Sequence, residues 1–514
     1  MKKLFIITII IAGAISQLIA QNTPSQKLDS MYTAISKNGD FNGGILVAEK
    51  GKIIYQNGLG YANFATQIPN TNHSRFNLAS ISKTFTSVAV LQLKEKRKLK
   101  LDDTFIKYFP EFPFPAITIR HLLSHTSGLP DLELYEAIVK ASPDSVIGNA
   151  AIISILKNWN QPLYFQPGEK WKYTNTNYAL LALLVEKLSK MPFATYLKKY
   201  IFEPANMPDT YLRMSRPEKD PDAVVNHRMV TWYDSQFKSV DSIRVGGIRY
   251  CNYNCGGTYG DSNIMTTTAD MFNYDQALYN GKLLSQNSLD EAFTPTRLNN
   301  GSIYYDPFGP EMSQLGRSSY GLGWEIYEDA ELGKAVSHGG HLFGLATCFY
   351  RNLSKNQTVI IYENIELEGH AFYYKIRAAL EILNGKTPKK IHYKKSLART
   401  YGATLMQKGI DKAVTTFNIL KTDTTHYYVS EHEMNWLGYD LLFGANQKQY
   451  SLETFKINTL LFPNSFNVYD SYAETLYANG KREEAILMYQ KSIAMNPDNE
   501  GGKAMLSKIL AEKQ

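Results

Sequence analysis

The stretch Phe76-Asn77-Leu78-Ala79-Ser80-Ile81-Ser82-Lys83-Thr84-Phe85 decides how the rest of the chain is read. From Ile81 on, the apolar residues Phe85, Val88, Ala89, Val90, Leu91 and Leu93 surround a helical axis nearly all round, which predicts a helix inside the fold. Ser80 and Lys83 stand three apart at its start, on one face and about one turn from each other. An alcohol is a poor nucleophile at neutral pH, and a buried lysine whose charge is disfavoured by desolvation can take its proton. The spacing alone is not decisive. Ser154 with Lys157 and Ser235 with Lys238 repeat it, and a serine opening a core helix is also an ordinary N-cap.

Upstream, Leu28 to Ile35 reads as a first helix, and Gly43–Ala48 with Lys52–Tyr55 across Lys50-Gly51 as a β-hairpin. Downstream, the most distinctive passage is Ile117 to Pro130, which ends His125-Thr126-Ser127-Gly128-Leu129-Pro130. His121 and His125 lie four apart but lack a third ligand at a matching spacing, so they read as core or capping histidines and no metal is expected. Pro167 to Asn175 leads into an apolar helix from Tyr178 to Leu188, which puts Tyr173 and Asn175 on the turn before a rigid element. The polar, aromatic segment Arg213–Tyr259 reads as insertions or a substrate-side loop. Three late strands, Ala335–Gly340, Ala346–Arg351 and Thr358–Tyr362, and a covering helix, Ala371–Leu383, complete the pattern. A sheet assembled from both ends of a domain, with helices inserted between, is an α/β layer plus a helical subdomain, with the cleft where the two meet.

The chain has 514 residues, enough for about two to four domains, and its 44% hydrophobic and 20% charged residues are those of a globular protein. Met1–Ala20 departs from this: Lys2 and Lys3 precede an apolar run from Leu4 to Ile15, followed by the small residues Ser16 and Ala20. It reads as a signal peptide, residues 1–20, cut near Ala20. Export to a periplasm or beyond is expected, with no stable membrane span after the cut. The formal charge of +7 is too mild to argue for nucleic acid, and the basic run Lys94–Lys100 suits a helix C-terminus in solvent. Three cysteines exclude a disulfide scaffold; Cys251 and Cys255 are either bridged or free.

Beyond a linker at 386–398 the pattern turns to helical repeats over 399–514. Phe455 and Tyr489 are 34 apart, as are Pro463 and Pro497, and a single unit holds Gly480, Ala485, Tyr489 and Pro497. That period resembles the tetratricopeptide repeat, and the segment reads either as a helical cap or as a groove for a protein or peptide partner.

Three elements stand in order: Ser80-Ile81-Ser82-Lys83, Tyr173-Thr174-Asn175 and His338-Gly339-Gly340. With the passage His125–Pro130 they resemble the serine hydrolases of the class C β-lactamase and penicillin-binding-protein family over about Leu28 to Leu383, which implies a hydrolase domain at 21–385. The resemblance implies a β-lactamase-like antiparallel sheet flanked by helices, with no cofactor. It makes Ser80 the acylated nucleophile, with Lys83 and Tyr173 as proton carriers, the first base being either. Asn175 would orient Lys83 and the substrate, and the backbone N–H groups of Ser80 and His341 would form the oxyanion hole. Gly339 and Gly340 would leave room for a substrate backbone. His338 stands where classical β-lactamases of this family carry lysine, and a neutral imidazole anchors a carboxylate less strongly. The implied substrate is a small peptide or amide ending in a D-residue, of cell-wall type, or a small ester. The alternatives are a β-lactamase and a non-catalytic exported binding protein that uses its repeats.

Overall fold

The structure, a computed structural model, describes residues 23–214, 220, 222–229, 237–240, 249–307, 314–366, 371–389 and 393–511. The expected signal peptide and residues 390–392 of the expected linker lie outside the described residues. The chain divides into two compact units, one reaching to Arg228 and resuming over Ser239–Ile391, the other made of Met229–Lys238 and His392–Gln514.

The first unit is built from α1 (Pro24–Lys37), β1 (Gly43–Glu49), β2 (Lys52–Leu59), α2 (Ser82–Glu95), α3 (Ile119–Leu123), α4 (Asn175–Ser189), α5 (Thr268–Tyr279), β3 (Arg317–Tyr320), β4 (Glu325–Asp329), β5 (Gly333–Leu342), β6 (Leu345–Asn352), β7 (Gln357–Glu363) and α6 (Ala371–Leu383), with shorter pieces between them. Its 7-stranded antiparallel sheet runs β3-β4-β5-β6-β7-β1-β2. The hairpin at its edge turns at Lys50 and Gly51, both with positive φ (51° and 74°), the turn geometry that matches the twist of two antiparallel strands.

Period-2 alternation sorts the sheet residues into two cores. Ile45, Val47, Cys348, Tyr350, Val359 and Ile361 pack against Leu28, Met31, Tyr32 and Ile35 of α1 and against Ile376, Ala379 and Leu380 of α6. Leu46, Val336, Phe349, Ile360 and Tyr362 face the other way, into a larger core with α2, α4 and α5. α1 buries one stripe at helical spacing. By contrast, α2 is buried at every position from Ser82 to Leu93, the inside helix that its sequence predicts.

The second unit is mostly helical, with the helices Leu397–Lys408, Ile410–Leu420, Glu431–Tyr439, Lys448–Leu461, Phe466–Ala478, Arg482–Met495 and Glu500–Ala511 and a short parallel pair of strands, Lys395–Ser396 with Tyr427–Tyr428. Its apolar clusters are its own, around Tyr401, Phe417 and Met434 and around Ala473, Tyr489 and Ile509. Phe455 and Tyr489 are both buried on helices that end two residues before Pro463 and Pro497. Proline cannot continue a helix, which accounts for the matching ends.

Candidate active site

Ser80 stands on a single 3-10 turn, Ala79–Ile81, that leads directly into α2, rather than on the first turn of the α-helix itself. The reason lies one residue earlier. Ala79 has a φ of 47°, left-handed for a residue with a side chain, a conformation that costs about 1–3 kcal/mol unless its surroundings impose it. The surroundings do so from three sides. Asn77 Oδ1 accepts the Ala79 N–H at 2.8 Å, Leu78 N–H donates to Ile264 O at 2.8 Å, and Thr347 Oγ1 of β6 donates to Leu78 O at 2.9 Å. Asn77 is itself paired with Met265 in a small sheet.

Gly340 completes this clamp. A Cβ there would lie 2.3 Å from both Leu78 O and Thr347 Oγ1, and 3.1 Å from the Ala79 side chain. The space expected for a substrate at Gly340 is therefore filled by the turn that leads to Ser80, and the missing side chain lets β5 press against it. β4 pairs with β5 only from Gly333 to Ser337, so His338 to Leu342 lie beyond that ladder.

Lys83 is completely buried, and its Nζ reaches three acceptors: Ser80 Oγ at 3.1 Å, Asn175 Oδ1 at 2.8 Å and the Asp261 carbonyl at 3.0 Å. Burial pushes this ammonium down to about 8, against the opposing pull of Asp261 and Asp131. The downward shift is worth about 3 kcal/mol, comparable to what one fully buried leucine contributes. A fold of this size can carry it.

Tyr173 lays its ring 4.8 Å from Lys83 Nζ. Burial holds its phenol well above the usual tyrosine range, while a hydrogen bond with Ser80 works in the opposite direction. Two hydrogen bonds to His125 fix the backbone on either side: Lys172 N–H donates to His125 O at 3.0 Å and Thr174 N–H to His125 Nδ1 at 3.1 Å. The imidazole packs 4.3 Å from the Tyr173 ring. His125 is a neutral core histidine, since burial and the nearby Lys83 keep it well below its usual value. His121 is a capping residue, its Nδ1 accepting Thr118 N–H at 3.2 Å while its own N–H donates to Thr118 Oγ1.

Asn175 opens α4 instead of preceding it, and its Nδ2 donates to Asp131 Oδ2 at 3.0 Å. His338 is buried and uncharged, pushed down to about 3 by burial and by Lys83. Its Nδ1 donates to Gly339 O at 2.7 Å, because a carbonyl can only accept; Nε2 therefore accepts from the Tyr320 hydroxyl at 3.0 Å. Both nitrogens are engaged within the protein. Cys251, Cys255 and Cys348 are free thiols, so of the two readings of Cys251 and Cys255 the unbridged one holds.

A profile of the Beta-lactamase family matches residues 28–384. The chain belongs to the β-lactamase family. It is accordingly a serine hydrolase, with the antiparallel sheet and flanking helices of that family. Penicillin-binding protein 4* of Bacillus subtilis is 34% identical over 404 residues, covering 76% of this chain and 85% of the relative. A second B. subtilis protein, the putative penicillin-binding protein PbpX, is 30% identical over 63% of this chain and 71% of its own length. Among solved structures, a penicillin-binding protein from Bacillus halodurans superposes with a TM-score of 0.57 at 25% identity, over 69% of this chain and 98% of that one. D-amino acid amidase of Ochrobactrum anthropi shares the fold at 19% identity, with a TM-score of 0.56 over 70% and 97% of the two chains.

In this β-lactamase-family chain the structure brings together Ser80, Lys83, Tyr173 and Asn175, with His338 beside them. Sequence reasoning missed the parts that hold them. The grip of His125 on Tyr173 and the carbonyl of Asp261 under Lys83 leave no mark in any local pattern. Asp131 follows directly on the His125–Pro130 passage, but an aspartate after a proline reads as a turn residue.

Proposed function

We propose that this chain is an exported hydrolase that forms an acyl-enzyme on Ser80 with small amides of D-residues, D-residue-terminated peptides or small carboxylic esters. The observation that carries the reading is the buried Lys83 amine 3.1 Å from Ser80 Oγ. With its ammonium lowered to about 8, roughly a tenth of Lys83 is neutral at pH 7. Tyr173, pushed the other way, stays a phenol. This favours Lys83 as the first base and Tyr173 as the relay. Ser80 Oγ bonds to the carbonyl carbon and its proton passes to Lys83; as the bond to the leaving group breaks, Tyr173 gives its proton to the departing amine or alkoxide and takes the one held by Lys83. The N–H groups of Ser80 and His341 would hold the oxyanion, each worth about 3–4 kcal/mol. Water then splits the ester and frees Ser80.

The neutral His338 favours substrates without a carboxylate beside the scissile bond, because it brings no cation and both its nitrogens are spent inside the protein. That argues against efficient β-lactam turnover, even though the two Bacillus relatives are named for binding penicillin. Residues 1–20 are the proposed signal, and 21–385 the hydrolase. Residues 386–398 are the linker to a tetratricopeptide-like segment at 399–514, open to a peptide or protein partner or serving as a cap. A panel of D-alanine amide, a p-nitrophenyl ester, a D-Ala-D-Ala dipeptide and nitrocefin on the mature chain tests the substrate reading. The expected order of kcat/KM puts the amide and the ester first and nitrocefin last. Nitrocefin ahead of both would overturn it.

A further inference from the structure

The geometry points to Asp131 as the residue that positions Asn175, holding the amide so that its oxygen, not its nitrogen, faces Lys83. This rests on the reading of Ser80 and Lys83 just given. An asparagine amide has two ends of similar shape and opposite hydrogen-bonding sense. An ionised carboxylate offers acceptors only, so the Asn175 Nδ2 that donates to Asp131 Oδ2 at 3.0 Å leaves Oδ1 for the Lys83 amine at 2.8 Å. A flipped amide would set oxygen against oxygen on one side and NH2 against the ammonium on the other. The other Asp131 oxygen accepts the backbone N–H groups of Asn175 at 2.7 Å and Thr176 at 3.2 Å. These belong to the first turn of α4, whose own N-cap, Thr174, makes no side-chain cap bond. One half-buried carboxylate thus fixes both the start of the helix and the sense of its first side chain.

Asp131 also acts on Lys83 by charge. The titratable groups facing the amine are the Asp131 and Asp261 carboxyls, the uncharged His125 and His338, and the phenols Tyr173 and Tyr178; Glu133 in turn faces Asp131. Both carboxyls raise the lysine's affinity for its proton, so removing the Asp131 charge lowers it.

The test is the pH profile of kcat/KM for a p-nitrophenyl ester on the full chain, with thermal unfolding measured alongside. Asp131→Asn is expected to lose about 30-fold in kcat/KM and to move the acid limb to lower pH. In the exchange Asp131→Asn with Asn175→Asp, the asparagine donates to the aspartate and accepts the two backbone N–H groups, while the aspartate accepts from Lys83. That variant is expected to regain about tenfold over Asp131→Asn, with its acid limb above that of the natural chain, since the charge now touches the amine. A carboxylate that merely caps the helix would lower the melting temperature of Asp131→Asn while leaving its kcat/KM within about threefold of the natural chain, or would give no regain in the exchange, and either result overturns the inference. If Asp131→Asn does not fold, the exchange variant decides: a folded chain with a raised limb upholds the inference, and a folded chain with an unmoved limb or no turnover overturns it. Ser80→Ala run in parallel keeps the two readings apart, because turnover surviving there removes the Ser80 assignment itself.

Discussion

Burying Lys83 carries a cost, and in the proposed mechanism Lys83 supplies the base; each has its own pH signature. If its neutral form takes the proton of Ser80, log kcat/KM for an ester rises with a slope near one up to about pH 8 and then levels. Folding is linked to the same proton. With the folded value at about 8 and the unfolded one near 10.4, the unfolded chain binds more protons at every pH between them, so stability rises with pH across that window. Urea unfolding at pH 7 and pH 10 should show the natural chain gaining about 2–3 kcal/mol relative to Lys83→Met, which lacks the titration. An equal change in both proteins contradicts a lysine buried in this way.

At the scale of elements, the site exists because β5 and β6 press on the turn before α2. Gly340→Ala puts a methyl within 2.3 Å of Leu78 O, which is backbone and cannot swing aside. The variant should lose 100-fold or more in kcat/KM, on the order of what a misplacement of about 1 Å costs, with little change in far-UV circular dichroism. Activity within threefold of the natural chain would mean that the turn and β5 are not in this contact. The same contact marks where sequence reading stopped. Ser80 with Lys83, Tyr173 with Asn175 and His338 with Gly339 were legible because each lies within a few residues of its neighbour, on a helix or strand whose periodicity is local. Gly340 stands out in the sequence beside His338 and Gly339, but what fills the space next to it does not, since Leu78 comes to it from a segment more than 250 residues away. Asp131 was not visible at all: its partners lie 44 and 45 residues on, and only the fold selects them. His125 carried a correct expectation of burial, while its bond to Thr174 depends on the path of the intervening loop.

For the whole molecule, the two units keep separate apolar cores, which predicts that catalysis and the C-terminal helices are separable. A chain ending at Lys389 should turn over the p-nitrophenyl ester within about threefold of the full chain, as expected for a domain with its own core. A collapse of activity with the fold retained would assign the helices a part in the site. Among the described residues no helix is long and apolar enough to cross a membrane. The central claim is that each chain carries one activated hydroxyl and that it is Ser80. Intact mass after fluorophosphonate treatment, followed by peptide mapping, measures this directly. The account predicts a single adduct per chain on the peptide holding Ser80, absent in Ser80→Ala and slowed by several decades in Lys83→Ala. An adduct that persists in Ser80→Ala, or that maps to another residue, contradicts it.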